Sequence, residues 1–319
     1  MKISVVLCTY NGERYLRQQL DSVFAQTLRA DEVLVSDDGS TDGTWSILTE
    51  YAVRYPEMRL RHNDAPHGVN ANFYSAMRCA KGELLVLGDQ DDIWLPDKVQ
   101  CLVDSIGDAL LVASMNRPFV SSEDLRAVVS HDERVPNVSL LRMLHTSCVA
   151  GHTMALRPSL LSLVPPSFEH TIMYDAMLQI VANAAGRMVF VPRVLVLQRR
   201  HTDSATYTAP IDRSKTVSNI VHTIIEDCRL YRRTRSAWHN RMLLMQEILS
   251  FVASRQPVVS YELHDALCYV SLQLNGNYLQ RTLFCMRHHK ALLHSVESNT
   301  VYSLLRALFF PISSAVYVR

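Results

Sequence analysis

No glycine-rich phosphate loop occurs in this chain: neither GxGxxG nor GxxxxGK[ST] is present. That argues against a dinucleotide-dependent oxidoreductase and against a P-loop NTPase. Cysteines at CxxC spacing are also absent. The seven present (Cys8, Cys79, Cys101, Cys148, Cys228, Cys268 and Cys285) are scattered through apolar stretches. An odd, dispersed set argues against a disulfide framework or a zinc site and suits reduced, mostly buried thiols in a cytoplasmic protein. No apolar run reaches the roughly 18–20 residues that cross a bilayer. The nearest segment, LLRALFFPISSAVYV, is broken by Arg306 and Pro311 and suits a membrane surface at most. Ile3–Cys8 is too short for a signal peptide and leads straight into polar TYNGE. The net charge is only +1, so nothing global points to a nucleic-acid partner. Internal repeats and low-complexity linkers are missing as well.

What is present is ample apolar material, 48% of 319 residues, enough for one large domain or two. Charge is uneven. Residues 1–200 hold 19 Lys and Arg against 23 Asp and Glu, and residues 201–319 hold 13 against 8. Along the first ninety residues strand and helix signals alternate. ISVVLC (3–8), EVLVS (32–36) and ELLVLG (83–88) are short β-branched runs of the kind buried on both faces of a sheet. Residues 59–62 are weaker strand material. Between the runs, Leu16, Leu20, Val23 and Phe24 form one helical stripe within 13–26. Thr41 is a candidate N-cap for a helix carrying Trp45, Leu48 and Ala52. A short helix is expected over 72–80, then strands over 109–115 and 187–191 and a helix over 174–185. From about Tyr207 the pattern is helical throughout, with runs at 220–231, 242–252 and 263–274. The expected architecture is therefore α/β, a mostly parallel Rossmann-like sheet with helices on both faces over 1–205, followed by a helical region over 206–319.

In such sheets ligands bind beyond the carboxyl ends of the strands. The polar clusters stand there: Thr9-Tyr10-Asn11, Asp37-Asp38-Gly39-Ser40 and Asp89-Gln90-Asp91-Asp92. Three carboxylates within four positions repel one another unless a cation compensates, and hard oxygen ligands suit Mn²⁺ or Mg²⁺. A solvated acidic turn is the plain alternative. Asp37 and Asp38 can accept hydrogen bonds from a base or a ribose, or simply organise a turn. Thr9, Tyr10 and Asn11 offer a hydroxyl, a stacking ring and an amide, or an ordinary strand-to-helix turn.

As an ordered set, SVVLCTYNGERYLRQQLDSVFAQT, VLVSDDGSTDGT, HGVNANFYSAMRCAKGELLVLGDQDDIWLPDK, GHTMAL, MYDAML and QRRHTDS resemble the family 2 glycosyltransferases of the GT-A fold. DQDDIW followed by LPDK is similar to the rhamnosyltransferase-like bacterial members that build cell-surface polysaccharides. The resemblance covers about 1–205 and implies the following roles. Thr9, Tyr10, Asn11 and Glu13 line the nucleotide pocket, Asp37 and Asp38 read the base, and Asn72 lies near the donor. Asp89 and Gln90 contact the donor, and Asp92 and Trp94 shape the sugar site; Arg199 and Arg200, where the chain departs from the family pattern, add positive charge where the diphosphate would lie. Asp91 is the main metal ligand, with His201 as a second. Asp175 is the catalytic base, a task that a carboxylate suits when a hydroxyl attacks with inversion; alone, it reads better as a helix cap. The chain departs from the family where Tyr174-Asp175-Ala176-Met177 replaces His-Asp-aromatic and where Gln198-Arg199-Arg200-His201 replaces Tyr-Arg-Gln-His.

The expected activity is inverting transfer from a dTDP- or UDP-sugar, dTDP-rhamnose first, to a lipid-linked or oligosaccharide acceptor of O-antigen or capsule type at the inner face of the membrane. The basic run Arg229, Arg232, Arg233 and Arg235 could touch an anionic membrane surface or form an oligomer contact. Two other classes fit parts of the pattern: a nucleotidyltransferase, which lacks its basic glycine-rich loop here, and a non-catalytic partner in a polysaccharide assembly complex.

Overall fold

The structure is a computed structural model describing residues 1–119, 135–169, 171–200, 217–293 and 300–313, the side chains of 217–233, 300–302, 305, 312 and 313 excepted. The chain forms two compact units. One comprises 1–133, 149–182 and 187–204, and the other comprises 134–148, 183–186 and 205–319.

The first unit is an eight-stranded sheet. In chain order its elements are β1 (Ile3–Thr9), α1 (Glu13–Phe24), β2 (Glu32–Asp37), α2 (Thr44–Arg54), β3 (Met58–His62), α3 (Val69–Cys79), β4 (Leu84–Gly88), β5 (Ile93–Trp94), α4 (Lys98–Ile106) and β6 (Leu111–Phe119). After α5 (Leu140–Met143) of the second unit come β7 (Met154–Leu156), α6 (Tyr174–Ala184) and β8 (Met188–Arg199). The strand order is β3-β2-β1-β4-β7-β6-β8-β5. Pairing is parallel from β3 through β4 and between β6 and β8; β7 and β5 run antiparallel to their neighbours. One register row runs Met58–Val33–Val5–Val86–Ala155–Val112–Val189 across seven strands. Apart from Met58 on the edge strand, small and β-branched residues fill it because both faces are covered and each side chain must pack on a pleated surface. Helix α1 buries Leu16, Leu20 and Val23 as its periodicity predicts, and Gln19 with them.

Several local expectations change. Helix α2 begins at Thr44, not after Thr41. Asp42 takes the capping role, accepting from the Thr44 backbone N–H and hydroxyl at 3.0 and 2.5 Å. Helix α3 starts three residues early, behind Gly68. Strands β6 and β8 run well past Met115 and Val191. Their extensions carry Asn116, Arg117, Pro192 and Gln198, which hide the strand pattern, and the register shifts between Ser114 and Asn116. None of the six described cysteines forms a disulfide, but only Cys285 is fully buried and Cys79 is exposed.

The second unit is helical among its described residues. Besides α5 it holds α7 (Val217–Ser254), α8 (Tyr261–Asn275), α9 (Tyr278–Arg287), α10 (His289–Leu292) and α11 (Thr300–Ser313). Its core gathers His145, Trp238, Tyr269 and Phe310, ring against ring, with the Tyr269 hydroxyl 3.0 Å from the His145 Nε2. Ser260 caps α8, and Asn277 with Gln280 forms a capping box on α9. Among the described residues no helix is long and apolar enough to cross a membrane.

Candidate active site

The chain runs β1 to β3 outward on one side and then returns to place β4 on the other side of β1, so the topological switch lies between β1 and β4. Two loops leave the sheet there, Tyr10–Gly12 and Asp89–Asp92. The Gln90 side chain joins them: its Oε1 accepts from the Tyr10 N–H at 2.8 Å and its Nε2 donates to the Tyr10 carbonyl at 2.9 Å. Gly12 makes the approach possible, since a Cβ there would lie 2.3 Å from the Gln90 Oε1. Asn11 sits at φ 47°, a left-handed conformation that asparagine tolerates better than most residues. Its Oδ1 accepts from the Thr41 N–H and its own N–H donates to Ser40. Glu13 accepts from the Gly43 N–H. Tyr10 is left 56% exposed, its ring open at the switch.

The acidic pair after β2 is built inward. Asp37 accepts from the hydroxyls of Thr9 and Ser40 and from the N–H groups of Gly39 and Ser40. Those bonds occupy it as the organiser of the turn. Asp38, next to it, accepts from Asn63 Nδ2 and the Gly68 N–H and lies beside His67. Asn72 is buried on α3 and donates to the Ser36 carbonyl, with its Oδ1 unpaired. It supports β2 from behind.

Beyond β4 the carboxylates crowd around a residue to which the sequence reading gave no role, His152. It stands in a short turn, Gly151–Thr153, leading into β7. Its Nδ1 is 3.0 Å from Asp89 Oδ2 and 3.1 Å from Asp92 Oδ2. Its Nε2 faces Asn116 Nδ2 at 3.1 Å, and that amide also donates to Gln198 Oε1. The network therefore places the imidazole proton on Nδ1, hydrogen-bonded to Asp89, with Asp92 at ion-pair distance. Burial pushes Asp92 up to about 7, against the pull of His152 and with the repulsion of Asp89 and Asp91 added. Burial pushes His152 down, but Asp92 and Asp89 outweigh it and hold the imidazole above its ordinary value. GHTMAL was visible as a motif; the one signal that could have singled out His152 is a titratable side chain immediately before a fully buried strand.

Lys98 lies beneath this cluster, fully buried. Its amine donates to the carbonyls of Leu87 at 3.1 Å and His152 at 2.7 Å and rests 3.3 Å above the centre of the Trp94 ring. One side chain thus ties the end of β4 to the His152 turn. Trp94 is correspondingly packed in the core against Gly88. The sugar-site role expected for it does not match that burial. Arg199 also differs from expectation. It is buried between the rings of Tyr15 and Phe119, donates through Nε to the Asp91 carbonyl and through an Nη to Gln18, and its backbone N–H donates to Asp92 Oδ1. It clamps the acidic loop rather than presenting a free guanidinium to a diphosphate. Arg200 is half-buried, its backbone bonded to Phe119. His201 lies outside the described residues.

Asp175 opens α6, on the same side of the sheet. The Tyr174 N–H donates to Asn70 Oδ1, Tyr174 stacks on Phe73, and a Cβ on Gly151 would lie 2.1 Å from the Tyr174 hydroxyl. This packing draws the start of α6 onto the His152 turn. Burial raises the Asp175 carboxyl above its ordinary value, outweighing a bond from the Ala176 N–H at 2.7 Å, and the charge of Asp89 raises it further. The helix start favours the ionised form, but here desolvation wins.

The donor set suits a divalent cation. Asp89, Asp92 and His152 each offer a ligand atom within 4.8 Å of the others, and Asp92 Oδ2 is buried with no hydrogen-bond donor of its own. Asp91, which the resemblance marks as the main ligand, is half-buried beside them. Coordination through His152 Nδ1 would require its proton to move to Nε2, which the Asn116 amide oxygen could accept.

A doubly covered, mostly parallel sheet with an acidic loop at its switch point defines a GT-A-type fold. Residues 4–161 match the family model described as Glycosyl transferase family 2. An uncharacterized protein of Mycobacterium tuberculosis is 29% identical over 227 residues, 67% of this chain and 63% of that protein. The match thus spans less than two thirds of that relative. Among solved structures, TarS 1–349 of S. aureus in complex with UDP-GlcNAc is similar with a TM-score of 0.54 at 16% identity, covering 100% of this chain and 89% of that one. The mannosyltransferase PcManGT of Pyrobaculum calidifontis, in complex with GDP-Man and Mn²⁺, is similar with a TM-score of 0.52 at 18% identity, covering 99% and 85%. At these identities the likeness is one of fold.

Proposed function

We propose that this protein is an inverting glycosyltransferase that moves a sugar from a nucleotide diphosphate donor to a hydroxyl of a growing surface glycan. One observation carries the reading most: a carboxylate of raised pKa, Asp175, is drawn beside the Asp89–Asp92–His152 cluster at the sheet's switch point. The exposed ring of Tyr10 and the loop of Asp38 offer the nucleoside a stacking face and polar edges. Asp175 takes the proton of the acceptor hydroxyl as its oxygen attacks the anomeric carbon, and the bond from that carbon to the diphosphate oxygen breaks. A bound Mn²⁺ or Mg²⁺, held by Asp91 with the neighbouring carboxylates and His152, would neutralise the departing diphosphate. Arg199 and Lys98 keep the acidic loop in place while its charge changes. By the resemblance the donor is a dTDP- or UDP-sugar, dTDP-rhamnose first, and the acceptor is lipid-linked. The UDP-GlcNAc and GDP-Man complexes of fold neighbours support a nucleotide sugar in general, and the Mn²⁺ of one supports the cation.

The test is donor binding and slow donor hydrolysis across dTDP-rhamnose, UDP-glucose, UDP-galactose, UDP-N-acetylglucosamine and GDP-mannose, with Mn²⁺ and with chelator. One donor bound only with metal, and lost in Asp91→Asn, supports the reading and names the sugar. Folded protein that binds none contradicts it.

A further inference from the structure

The second unit has a surface that none of the site chemistry uses. On α9, Tyr278, Leu279 and Leu283 are 51%, 66% and 57% exposed. Leu279 and Leu283 are one turn apart, and Arg287 continues their stripe at the next turn, also exposed, with exposed Lys290 just beyond on α10. The Tyr278 hydroxyl donates to the Leu308 carbonyl of α11 at 2.9 Å, beside Phe309, which is itself 44% exposed. Large apolar side chains are thus presented together on two packed helices. Basic residues outnumber acidic ones along this part of the chain: after Asp265 there is one acidic residue, Glu297, against Arg281, Arg287, Lys290, Arg306 and Arg319, while Asp265 itself lies 3.3 Å from His288 Nδ1. A protein–protein contact core is typically depleted of Lys, Glu and Asp. Apolar side chains flanked by long basic ones that can reach past them match a headgroup layer, where leucines and aromatics enter the acyl boundary and lysine and arginine meet phosphates.

We propose that this face of α9 and α11 docks on an anionic lipid bilayer, lying in its surface without crossing it. The surface differs from the Arg229–Arg235 run, of which only Arg235 has a described side chain. The proposal gives a location to the lipid-linked acceptor named above and rests on that reading for its purpose, though not for its test.

The test is flotation of the full chain with vesicles of phosphatidylcholine alone and of phosphatidylcholine with phosphatidylglycerol, at low and high salt. Donor binding without vesicles, melting temperature and sedimentation velocity serve as controls. The chain is expected to float only with the anionic vesicles and to be released by salt. Leu279→Ser with Leu283→Ser should lower partitioning at least about tenfold. Arg287→Gln with Lys290→Gln should lower it about tenfold at low salt, and both pairs should leave donor binding and melting temperature unchanged. The proposal is overturned by no flotation of the wild type, by equal flotation with neutral vesicles, or by partitioning that ignores all four substitutions. A dimer in solution that the leucine substitutions dissociate overturns it too, because the face then belongs to a second copy.

Discussion

The two units were shaped by different demands, and they differ in how their polar residues are used. At the sheet's switch point nearly every polar side chain is committed. Gln90 binds Tyr10, Asn11 binds Thr41, Asp37 binds four donors, and Arg199 spans Gln18, Asp91 and two rings. In the second unit the core is an aromatic cluster around His145, and the face of α9 leaves Tyr278, Leu279 and Leu283 exposed. Substitutions should therefore be felt as chemistry and loop geometry in the first unit, and as surface affinity alone on the exposed face of the second.

The largest effect expected is Asp175→Asn, which should cut transfer about a thousandfold while leaving donor affinity within about twofold. Steady-state kinetics beside calorimetric donor binding check this split, and equal loss of both would place Asp175 in the donor pocket instead. Next comes Lys98→Met, which leaves the Leu87 and His152 carbonyls buried without a donor. At ~1–3 kcal/mol for each orphaned group it should cost about 2–5 kcal/mol, read from denaturant unfolding. A loss under about 0.5 kcal/mol would mean that the amine does not join β4 to the His152 turn.

A smaller loss is expected from Gly12→Ala. Its methyl group would displace the flexible end of Gln90, so the cost should fall on donor binding, by about tenfold, with stability lowered by about 1 kcal/mol. The pH profile sharpens the same contrast. Asp175 acts only when ionised, and burial favours its protonated form, so activity should be lost as pH falls through a value above the ordinary carboxylate range of about 4. A limb at the ordinary value would contradict the burial of this carboxyl. The smallest effect belongs to the second unit: Leu279→Ser should shift stability by no more than about 0.5 kcal/mol.

Much of the first unit could be read from the chain. ISVVLC, EVLVS and ELLVLG are strands because β-branched runs of that length have few other ways to be buried, and the polar tripeptides after them mark the ligand edge. What could not be read follows from the same physics. The extensions of β6 and β8 carry Asn116 and Gln198 toward His152, so the residues that build the site are those that erase the strand period. Thr41 looked like a cap because capping propensity is local, whereas its N–H and hydroxyl both turn to Asn11 from thirty residues away and the helix begins only at Thr44. Trp94 and Arg199 carried the right chemistry for a donor site, but whether a side chain faces the ligand or the core is decided by packing that spacing does not encode. In the second unit periodicity found the helices yet joined α7 poorly, since its hydrophobic pattern is weak over much of 38 residues.

The most direct test of the central claim is paired donor binding by Asp91→Asn, Asp89→Asn and the wild type, titrated with Mn²⁺. Binding of one nucleotide sugar that needs Mn²⁺ in the wild type and is lost in both variants, with melting temperatures unchanged, is the predicted result. Metal-independent donor binding that survives both substitutions would contradict a cation at the acidic loop and, with it, the mechanism built on that loop.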